Sequence, residues 1–329
     1  YLQYTSGSSG IPKGVMNQHS NLLINLRIIT KALSLTENDL LVSWLPPYHD
    51  MGLIGTILTP IFFSTTTVLM SPMNFIRKPY LWLKTISDYK ATISVAPNFS
   101  YEYCAKKIIP EQLTSLDLSS MRVLMNGADI IRLGTLDNFY QIFKSCGFKI
   151  NAFFPCYGLA EASLFVSGDF YKKSIYLSTK ELLAHKKKIV SKNDPLAKDF
   201  ISCGRTELDV QIINPDTKKP SGPNEIGEVW VHGPSISKGY WQREEQSKEI
   251  FHAKIADDNS GKEYLRTGDL GFIDQDEIFI TGRIKDIIKL NGKNYYPQDF
   301  EDSITTSHKK IRAGGVAAIS IEVENEERL

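Results

Sequence analysis

Short apolar runs alternate with amphipathic segments through the first half of the chain. The apolar runs are residues 41–45, 67–70, 93–96 and 123–125. Residues 80–89 lie between two of these runs and carry apolar side chains at helical spacing. Buried strands that alternate with helices are typical of a parallel sheet covered on both faces. The pattern therefore predicts an α/β fold for residues 1–201, with parallel sheets covered by helices.

The second half of the chain has a different pattern. Residues 210–233 read VQIINPDTKKPSGPNEIGEVWVHG, in which short β-branched runs are separated by turn-forming Asn-Pro-Asp and Ser-Gly-Pro. We therefore predict a small β-barrel-like subdomain at residues 202–284. A further segment begins near Gly282, and we interpret residues 285–329 as the start of a small α+β C-terminal module.

Charge and cysteine usage exclude several classes of protein. The chain has 38 basic and 37 acidic side chains and a formal net charge of +1, so its overall charge gives no reason to expect binding to nucleic acid. The cysteines are Cys104, Cys146, Cys156 and Cys203. They form no CxxC pair, which argues against a zinc ribbon or a dense disulfide framework and favours a reduced, cytoplasmic protein.

Residues 51–76 contain no charged side chain, and their number alone would suffice to cross a bilayer. Pro60 and Pro72 interrupt the segment, however, and threonines are frequent in it. We interpret it as a buried helix followed by a strand, and we predict no integral membrane segment.

A glycine- and hydroxyl-rich loop lies near the start of the chain. Residues 4–14 read YTSGSSGIPKG, and the candidate phosphate-binding residues are Thr5, Ser6, Gly7, Ser8, Ser9, Gly10 and Lys13. Glycines allow backbone amides to approach phosphate oxygens, hydroxyls donate hydrogen bonds and Lys13 supplies positive charge. The spacing differs from that of a Walker A loop, because Gly14 follows the lysine in place of Ser or Thr. The alternative is a flexible Gly/Ser linker.

Further motifs follow this loop along the chain. They are WLPPYHDMG at residues 44–52, NGA at 126–128, YGLAE at 157–161, YLRTGD at 264–269 and GRIKD at 282–286. Together with the loop, and in this order, they resemble the signatures of the adenylate-forming superfamily, which includes acyl-CoA synthetases, luciferases and the adenylation domains of peptide synthetases. The resemblance implies ATP and Mg²⁺ as cofactors.

The resemblance also implies roles for individual residues. The nucleotide-binding positions, besides the loop, are Asn126, Gly127, Ala128, Tyr157, Gly158, Asp269 and Arg283. Asn126 to Ala128 correspond to a turn that contacts adenine, and Tyr157 offers a flat face to the base. The Asp269 carboxylate is suited to accept hydrogen bonds from ribose hydroxyls, with Arg283 as a nearby donor. Ordinary structural roles, such as a turn aspartate or an ion-paired arginine, are the alternatives.

Four residues are implied in catalysis. They are Lys13, His49, Glu161 and Lys285. Glu161 is also the predicted Mg²⁺ ligand, since a hard oxygen donor needs few protein partners when phosphates complete the shell. His49 is placed beside the acyl entrance, where it positions the carboxylate or gates the pocket, and Lys285 occupies the hinge before the C-terminal module. A structural histidine and a surface lysine are the competing interpretations.

Within the superfamily the chain most resembles fatty acyl-AMP ligases. The features that carry this resemblance are WLPPYHDMGL at residues 44–53, SVAPNFSY at 94–101, YGLAEA at 157–162 and the insertion at residues 162–202. The implied reaction converts ATP and a fatty acid to acyl-AMP and pyrophosphate, and then passes the acyl group to an acyl carrier protein. Phe99, Phe153 and Phe154 are candidates for the acyl tunnel, with plain core as the alternative. An acyl-CoA synthetase, a peptide-synthetase adenylation domain and a degenerate non-catalytic nucleotide-binding module remain the rival functions.

The resemblance also places this chain in the middle of a longer enzyme. The adenylation lysine of the family lies late in the C-terminal module, and its N-terminal sheet segment precedes the phosphate loop. We therefore expect the isolated chain of residues 1–329 to form little adenylate. Pyrophosphate exchange measures this directly, and robust exchange by the isolated chain contradicts the expectation.

Overall fold

The structure is a computed structural model. It describes residues 1–5, 12–172, 174–290, 293–308, 310–311, 315–319, 321–323 and 326–328.

Strands and helices follow one another through the described part of the chain. The strands are β1 (Leu2–Thr5), β2 (Lys13–Met16), β3 (Leu40–Ser43), β4 (Thr66–Leu69), β5 (Ile93–Ala96), β6 (Val123–Asn126), β7 (Phe153–Gly158), β8 (Phe165–Gly168), β9 (Ser174–Ser178), β10 (Ala197–Ile201), β11 (Asp209–Ile213), β12 (Gly227–His232), β13 (Leu265–Asp274), β14 (Glu277–Arg283), β15 (Ile288–Leu290), β16 (Lys293–Tyr295), β17 (Ile321–Val323) and β18 (Glu326–Arg328). The helices are α1 (His19–Ala32), α2 (Thr59–Phe63), α3 (Pro72–Arg77), α4 (Tyr80–Tyr89), α5 (Asn98–Lys107), α6 (Pro110–Leu113), α7 (Leu133–Phe143), α8 (Thr179–Leu182), α9 (Glu244–Phe251) and α10 (Pro297–Ser307). A π-helix spans Met51–Leu58, and short 3₁₀ turns include Ala160–Ala162 and Ile284–Asp286.

A six-stranded sheet in the order β4-β3-β5-β6-β7-β8 forms the centre of the α/β part. All neighbouring strands run parallel except β8, which returns antiparallel beside β7. The chain moves from β3 outward to β4 and then back to β5 on the other side of β3, so the strand order reverses between β3 and β5. In open α/β sheets a ligand crevice forms at the carboxyl ends of strands near such a reversal.

Both faces of this sheet are buried, as the apolar runs predict. Consecutive residues of a strand point to opposite faces. Val42 packs in one core cluster with Trp82 of α4, whereas its neighbour Leu41 packs in another with Leu26 of α1. The first cluster also contains side chains of α5 and α7, and the second contains side chains of β12. The predicted α/β fold, with helices against the sheet, is confirmed.

The predicted β-rich part contains a four-stranded antiparallel sheet in the order β11-β12-β13-β14. Its long strands β13 and β14 pair so that Asp269 lies opposite Arg283. The start of the predicted C-terminal module includes the β15–β16 hairpin and α10. The division of the chain at residues 201 and 284 stays a prediction.

The uncharged segment 51–76 contains the π-helix, α2, β4 and part of α3, in agreement with the predicted helix followed by a strand. Within the described residues, none of the helices has both the length and the apolar character needed to cross a membrane. All four cysteines are buried and free.

Asp39, which precedes β3, forms hydrogen bonds to the segments before β5 and β6 at the amino-terminal edge of the central sheet. Its carboxylate accepts hydrogen bonds from Arg122 before β6, at 2.7 and 3.2 Å, and from Thr92 before β5, at 2.7 Å. Burial by itself raises the pKa of Asp39, but the bonds from Arg122, Thr92 and Thr36 outweigh it and hold the pKa below its ordinary value. A lowered pKa means that this carboxylate stabilises the fold above about pH 4, and that the contribution is lost as pH falls through the folded-state pKa.

We predict that Asp39→Asn lowers the free energy of unfolding at pH 7 by about 3 kcal/mol, because it leaves the Arg122 guanidinium without its carboxylate. The variant should also lose part of the acid dependence of stability between pH 5 and pH 2, which urea denaturation at several pH values measures. Asp88→Asn is the matched control, since Asp88 pairs with Lys84 on the exposed face of α4, and we expect a loss of at most about 0.5 kcal/mol. Equal losses for the two variants would contradict the assigned role of Asp39.

Candidate active site

A cavity of about 830 Å³ opens at the carboxyl ends of the parallel strands. Its wall includes the segments that follow β3, β6 and β7, and side chains of the antiparallel sheet close it from the other side. Because parallel strands end at the same edge, motifs far apart in the sequence meet here.

Most of the predicted site residues line this cavity. They are Thr5, Lys13, His49, Gly127, Ala128, Tyr157, Gly158, Glu161, Arg283 and Lys285. Asn126 and Asp269 lie directly behind the wall and are buried. Ser6, Gly7, Ser8, Ser9 and Gly10, which were predicted to contact phosphate, lie outside the described residues. Both ends of the loop, at Thr5 and Lys13, nevertheless reach the cavity.

The turn after β6 is held in an unusual backbone conformation. Ala128 has φ of +73°, in the left-handed region that an alanine rarely adopts. A Cβ at Gly127 would lie 2.8 Å from Cys156 Sγ, so only glycine fits between the strands at this point. Asn126 is fully buried, and its amide donates to Asn98 at 3.2 Å. Gly127 and Ala128 therefore form the cavity wall, while the predicted contact residue Asn126 supports the turn from behind.

The YGLAE motif forms the tight connection between β7 and β8. The Leu159 amide donates to Leu164 O at 2.8 Å, and a Cβ at Gly158 would lie 1.9 Å from that same carbonyl oxygen. Ser163 closes the connection with φ of +69°. This geometry directs Glu161, on the 3₁₀ turn Ala160–Ala162, into the cavity.

Glu161 is held from the side by Tyr240, whose hydroxyl donates to Oε1 at 2.7 Å. Burial raises the pKa of this carboxyl, and the Tyr240 hydrogen bond opposes that rise. No group of three or more His, Cys, Asp or Glu side chains in the described part of the chain is arranged to hold a metal ion. One inward-facing carboxylate fits a Mg²⁺ ion whose remaining ligands are phosphate oxygens and water.

Asp269 is buried and accepts hydrogen bonds from two other predicted residues. The Tyr157 hydroxyl donates to its Oδ2 at 2.6 Å, and Arg283 Nε donates to its Oδ1 at 2.9 Å. The carboxylate is thus engaged by protein donors, although each oxygen keeps a lone pair for a second donor such as a ribose hydroxyl. Burial raises the pKa of Asp269, and the charge of Arg283 opposes the rise.

His49 follows β3 and lies next to a second carboxylate. Its Nδ1 is 2.7 Å from Asp50 Oδ1, and the same Asp50 oxygen accepts the Met51 amide at 2.6 Å at the start of the π-helix. The hydrogen bond to Asp50 raises the pKa of His49, burial opposes this, and the charge of Asp129 adds to the rise. A π-helix is rare and frequently found at functional sites.

Basic side chains also line the cavity. Lys13 Nζ lies 4.9 Å from the centre of the Tyr240 ring. Burial lowers the pKa of Lys13, and the positive charge of Lys285 lowers it further. With Arg283 on the wall, the cavity presents several cations to one space, an arrangement that favours a polyanionic ligand.

The cavity also has apolar side chains in its wall. Its lining includes Ile29, Met51, Val95, Met125, Leu164 and Phe165, together with Gly55 of the π-helix. The three aromatic residues predicted for an acyl tunnel lie elsewhere. Phe153 and Phe154 are fully buried in the two core clusters, and Phe99 packs edge-to-face against Trp44. None of the three lines this cavity, and Phe153 and Phe154 are core residues.

Several cavity residues were not predicted from the sequence. Tyr240, Asp50 and Arg266 all lie on the wall. Arg266 belongs to a recognised motif and pairs with the buried Glu228 at 3.0 Å. The HD pair in WLPPYHDMG was a signal for Asp50, whereas nothing in the local sequence around Tyr240 distinguishes it from a core tyrosine.

Comparison with known proteins adds an independent finding. Residues 1–241 match the model of the AMP-binding enzyme family. The medium-chain-fatty-acid–acyl-carrier-protein ligase JamA from Moorena producens is 41% identical over 336 residues, which cover 100% of this chain and 57% of that protein.

Solved structures agree in fold. A fatty acid AMP ligase from Legionella pneumophila superposes with a TM-score of 0.84 at 46% identity, covering 99% of this chain and 57% of that one. A fatty acyl-adenylate ligase from L. pneumophila, in complex with acyl adenylate and pyrophosphate, gives a TM-score of 0.83 at 45% identity, covering 99% and 58%. This chain thus spans little more than half the length of these relatives.

We predict that Asp50→Asn lowers the pKa of His49, because the amide removes the negative charge while keeping an oxygen that accepts the Met51 amide. Ring-proton NMR across a pH series measures the shift, with His49→Gln to identify the signal. Glu263→Gln, at the exposed His252 pair, should leave the His49 signal in place. An unchanged His49 pKa in Asp50→Asn would rule out the assigned pairing.

Proposed function

Because this chain belongs to the AMP-binding enzyme family, we propose that its cavity binds ATP and a fatty acid and joins them as acyl-AMP with release of pyrophosphate. The observation that carries the proposal is that a single cavity is lined by both cationic and apolar side chains. The former suit a triphosphate and the latter an alkyl chain.

The cationic side chains of the cavity wall fit the chemistry of adenylate formation. A carboxylate oxygen attacks the α-phosphorus, a new P–O bond forms, and the bond to the pyrophosphate leaving group breaks. Negative charge spreads over the phosphoryl oxygens, and fixed positive groups stabilise that charge more in the transition state than in the ground state. Lys13 and Lys285 border this space and provide such groups, and Arg283 anchors Asp269 beside the predicted ribose position.

Glu161 is proposed to hold Mg²⁺. The bound ion would neutralise phosphate charge and draw electron density from the phosphoryl group. Two features support the assignment: the carboxylate faces the cavity, and the Tyr240 hydroxyl bonds only one of its oxygens among the contacts described.

The apolar side chains of the cavity wall are proposed to bind the alkyl chain of the fatty acid. Gly55 has no side chain and so leaves width beside Met51 and Leu164, and Val95 and Met125 extend the apolar wall at the ends of β5 and β6. His49 lies on the same cavity wall, where a raised pKa favours the protonated ring and hence attraction of a carboxylate.

We further propose an acyl carrier protein as the acceptor of the acyl group. The insertion at residues 162–202 contacts the start of the C-terminal module: Lys198 pairs with Asp299, and its ammonium lies 5.3 Å from the centre of the Tyr296 ring. Leu177 and Phe200 of the insertion share a core cluster with Tyr296. Such contacts restrain the module in one position, which supports a branch that does not use coenzyme A. The relative JamA carries an acyl carrier protein in its name.

The test uses the full-length protein with ATP, Mg²⁺ and dodecanoate, followed by addition of either holo acyl carrier protein or coenzyme A. We expect acyl-AMP to accumulate in the absence of an acceptor, acyl carrier protein to be loaded, and little acyl-CoA to form. Mass spectrometry distinguishes the products. Abundant acyl-CoA would overturn the choice of acceptor, and absence of both acyl-AMP and pyrophosphate exchange would overturn the function itself.

A pair of variants links that activity to the cavity. Glu161→Gln should reduce the rate of adenylate formation about 100-fold, the scale expected when one preorganised electrostatic group is removed. Glu102→Gln removes a carboxylate from an exposed pair with Lys106 on α5 and should retain the wild-type rate.

A further inference from the structure

Residues 237–241, here called the tether, connect two parts of the site that are far apart in the sequence. The Met16 amide donates to Gly239 O at 2.8 Å, and the Trp241 amide donates to Gly14 O at 2.8 Å. Tyr240 thereby lies opposite Val15 in an antiparallel bridge. The tether is thus added to β2, the strand that Lys13 begins.

The same segment holds the turn that carries Glu161. The Ser237 amide donates to Glu161 O at 2.9 Å, and the Ser237 hydroxyl lies 3.3 Å from Ala160 O. That hydroxyl also donates to Asn17 Oδ1 at 2.8 Å, just beyond β2. The tether therefore fixes the position of β2, which Lys13 begins, relative to the turn that carries Glu161.

The side chain of Tyr240 lies between the two charged groups. It is 6% exposed and lines the cavity. Its hydroxyl bonds Glu161 Oε1 at 2.7 Å, while its ring face lies 4.9 Å from Lys13 Nζ. The ring packs edge-to-face against Phe251 at 5.0 Å, and the Tyr240 amide donates to Ser247 Oγ at 2.8 Å, so the ring has little freedom to move.

Lys13 and Glu161 line one cavity, and the charge of Glu161 acts on Lys13 by raising its pKa, yet the contacts among the described residues include no direct ion pair between the two. A direct pair would occupy both groups with each other and withdraw them from a ligand. The tyrosine gives each group a separate partner, the π-face for the ammonium and the hydroxyl for the carboxylate.

We propose that Tyr240 is a positioning residue that keeps the Lys13 ammonium and the Glu161 carboxylate apart, so that the first is available to phosphate and the second to the metal. The inference rests on the proposed function for the identity of these ligands. It requires no particular acyl substrate or acceptor.

The test measures metal binding in the full-length protein. Mn²⁺ serves as the probe, read by electron paramagnetic resonance, at a saturating concentration of α,β-methylene ATP, in which a P–C bond prevents reaction. Tyr240→Phe keeps the ring and removes only the hydroxyl. We expect Mn²⁺ affinity to fall about tenfold, the scale of one hydrogen bond to a charged group, because the carboxylate turns toward Lys13.

The decisive variant is the double substitution with Lys13→Met. Without the ammonium, Glu161 has no cation to pair with, so adding Lys13→Met to Tyr240→Phe should restore most of the lost Mn²⁺ affinity. A role limited to local packing predicts additive losses in the double variant, and that result would overturn the inference. Wild-type affinity in Tyr240→Phe would overturn it as well.

Tyr264→Phe is the matched control. The Tyr264 hydroxyl donates to Asp209 at 3.1 Å in the antiparallel sheet, and neither residue lines the cavity. This variant should bind Mn²⁺ as the wild type does. Failure of the proposed function can be told apart from failure of this inference. If the wild type binds Mn²⁺ with nucleotide but activates no fatty acid, the Mn²⁺ affinities of the single and double variants can still be compared.

Discussion

The common direction of β3, β5, β6 and β7 is the constraint on which the site depends. Since the strands run parallel, their carboxyl ends meet at one edge, and the segments that follow them surround one space. The reversal of strand order between β3 and β5 opens the sheet edge there. The antiparallel sheet then closes the space, with Asp269 and Arg283 held opposite each other by strand register.

Local patterns in the sequence predicted the elements well. The helical spacing at residues 80–89 corresponds to α4, and the apolar run at 93–96 corresponds to β5. The first succeeds because periodicity reports which side of a helix is buried, and the second because a short apolar run indicates a strand that is buried on both faces. The turn signals at residues 210–233 also indicated a β-rich part, but the order in which its strands pair depends on register between distant segments, which short turn signals do not determine.

The site residues that were predicted belong to local motifs, whereas those that were missed depend on contacts between distant segments. Motifs identified Lys13, Glu161 and Arg283, which lie on the cavity wall. Phe153 and Phe154 were placed on an acyl tunnel, but neighbouring residues of a strand face opposite sides of the sheet, and both sides here are packed core. Tyr240 was missed because its role arises from pairing of the tether with β2, a contact between segments more than two hundred residues apart.

Two tyrosines donate hydrogen bonds to the two buried carboxylates of the site, Tyr240 to Glu161 and Tyr157 to Asp269. Burial raises the pKa of Glu161 and of Asp269, and each carboxylate therefore needs a donor that favours its charged form. Tyr240 and Tyr157 supply these hydrogen bonds from phenols whose own pKa values are raised, chiefly by burial. A neutral phenol orients a carboxylate and leaves its negative charge in place, whereas a lysine would neutralise that charge. We propose that Glu161 thereby keeps its charge for a metal and Lys13 keeps its charge for phosphate, whereas Asp269 is in addition paired with Arg283.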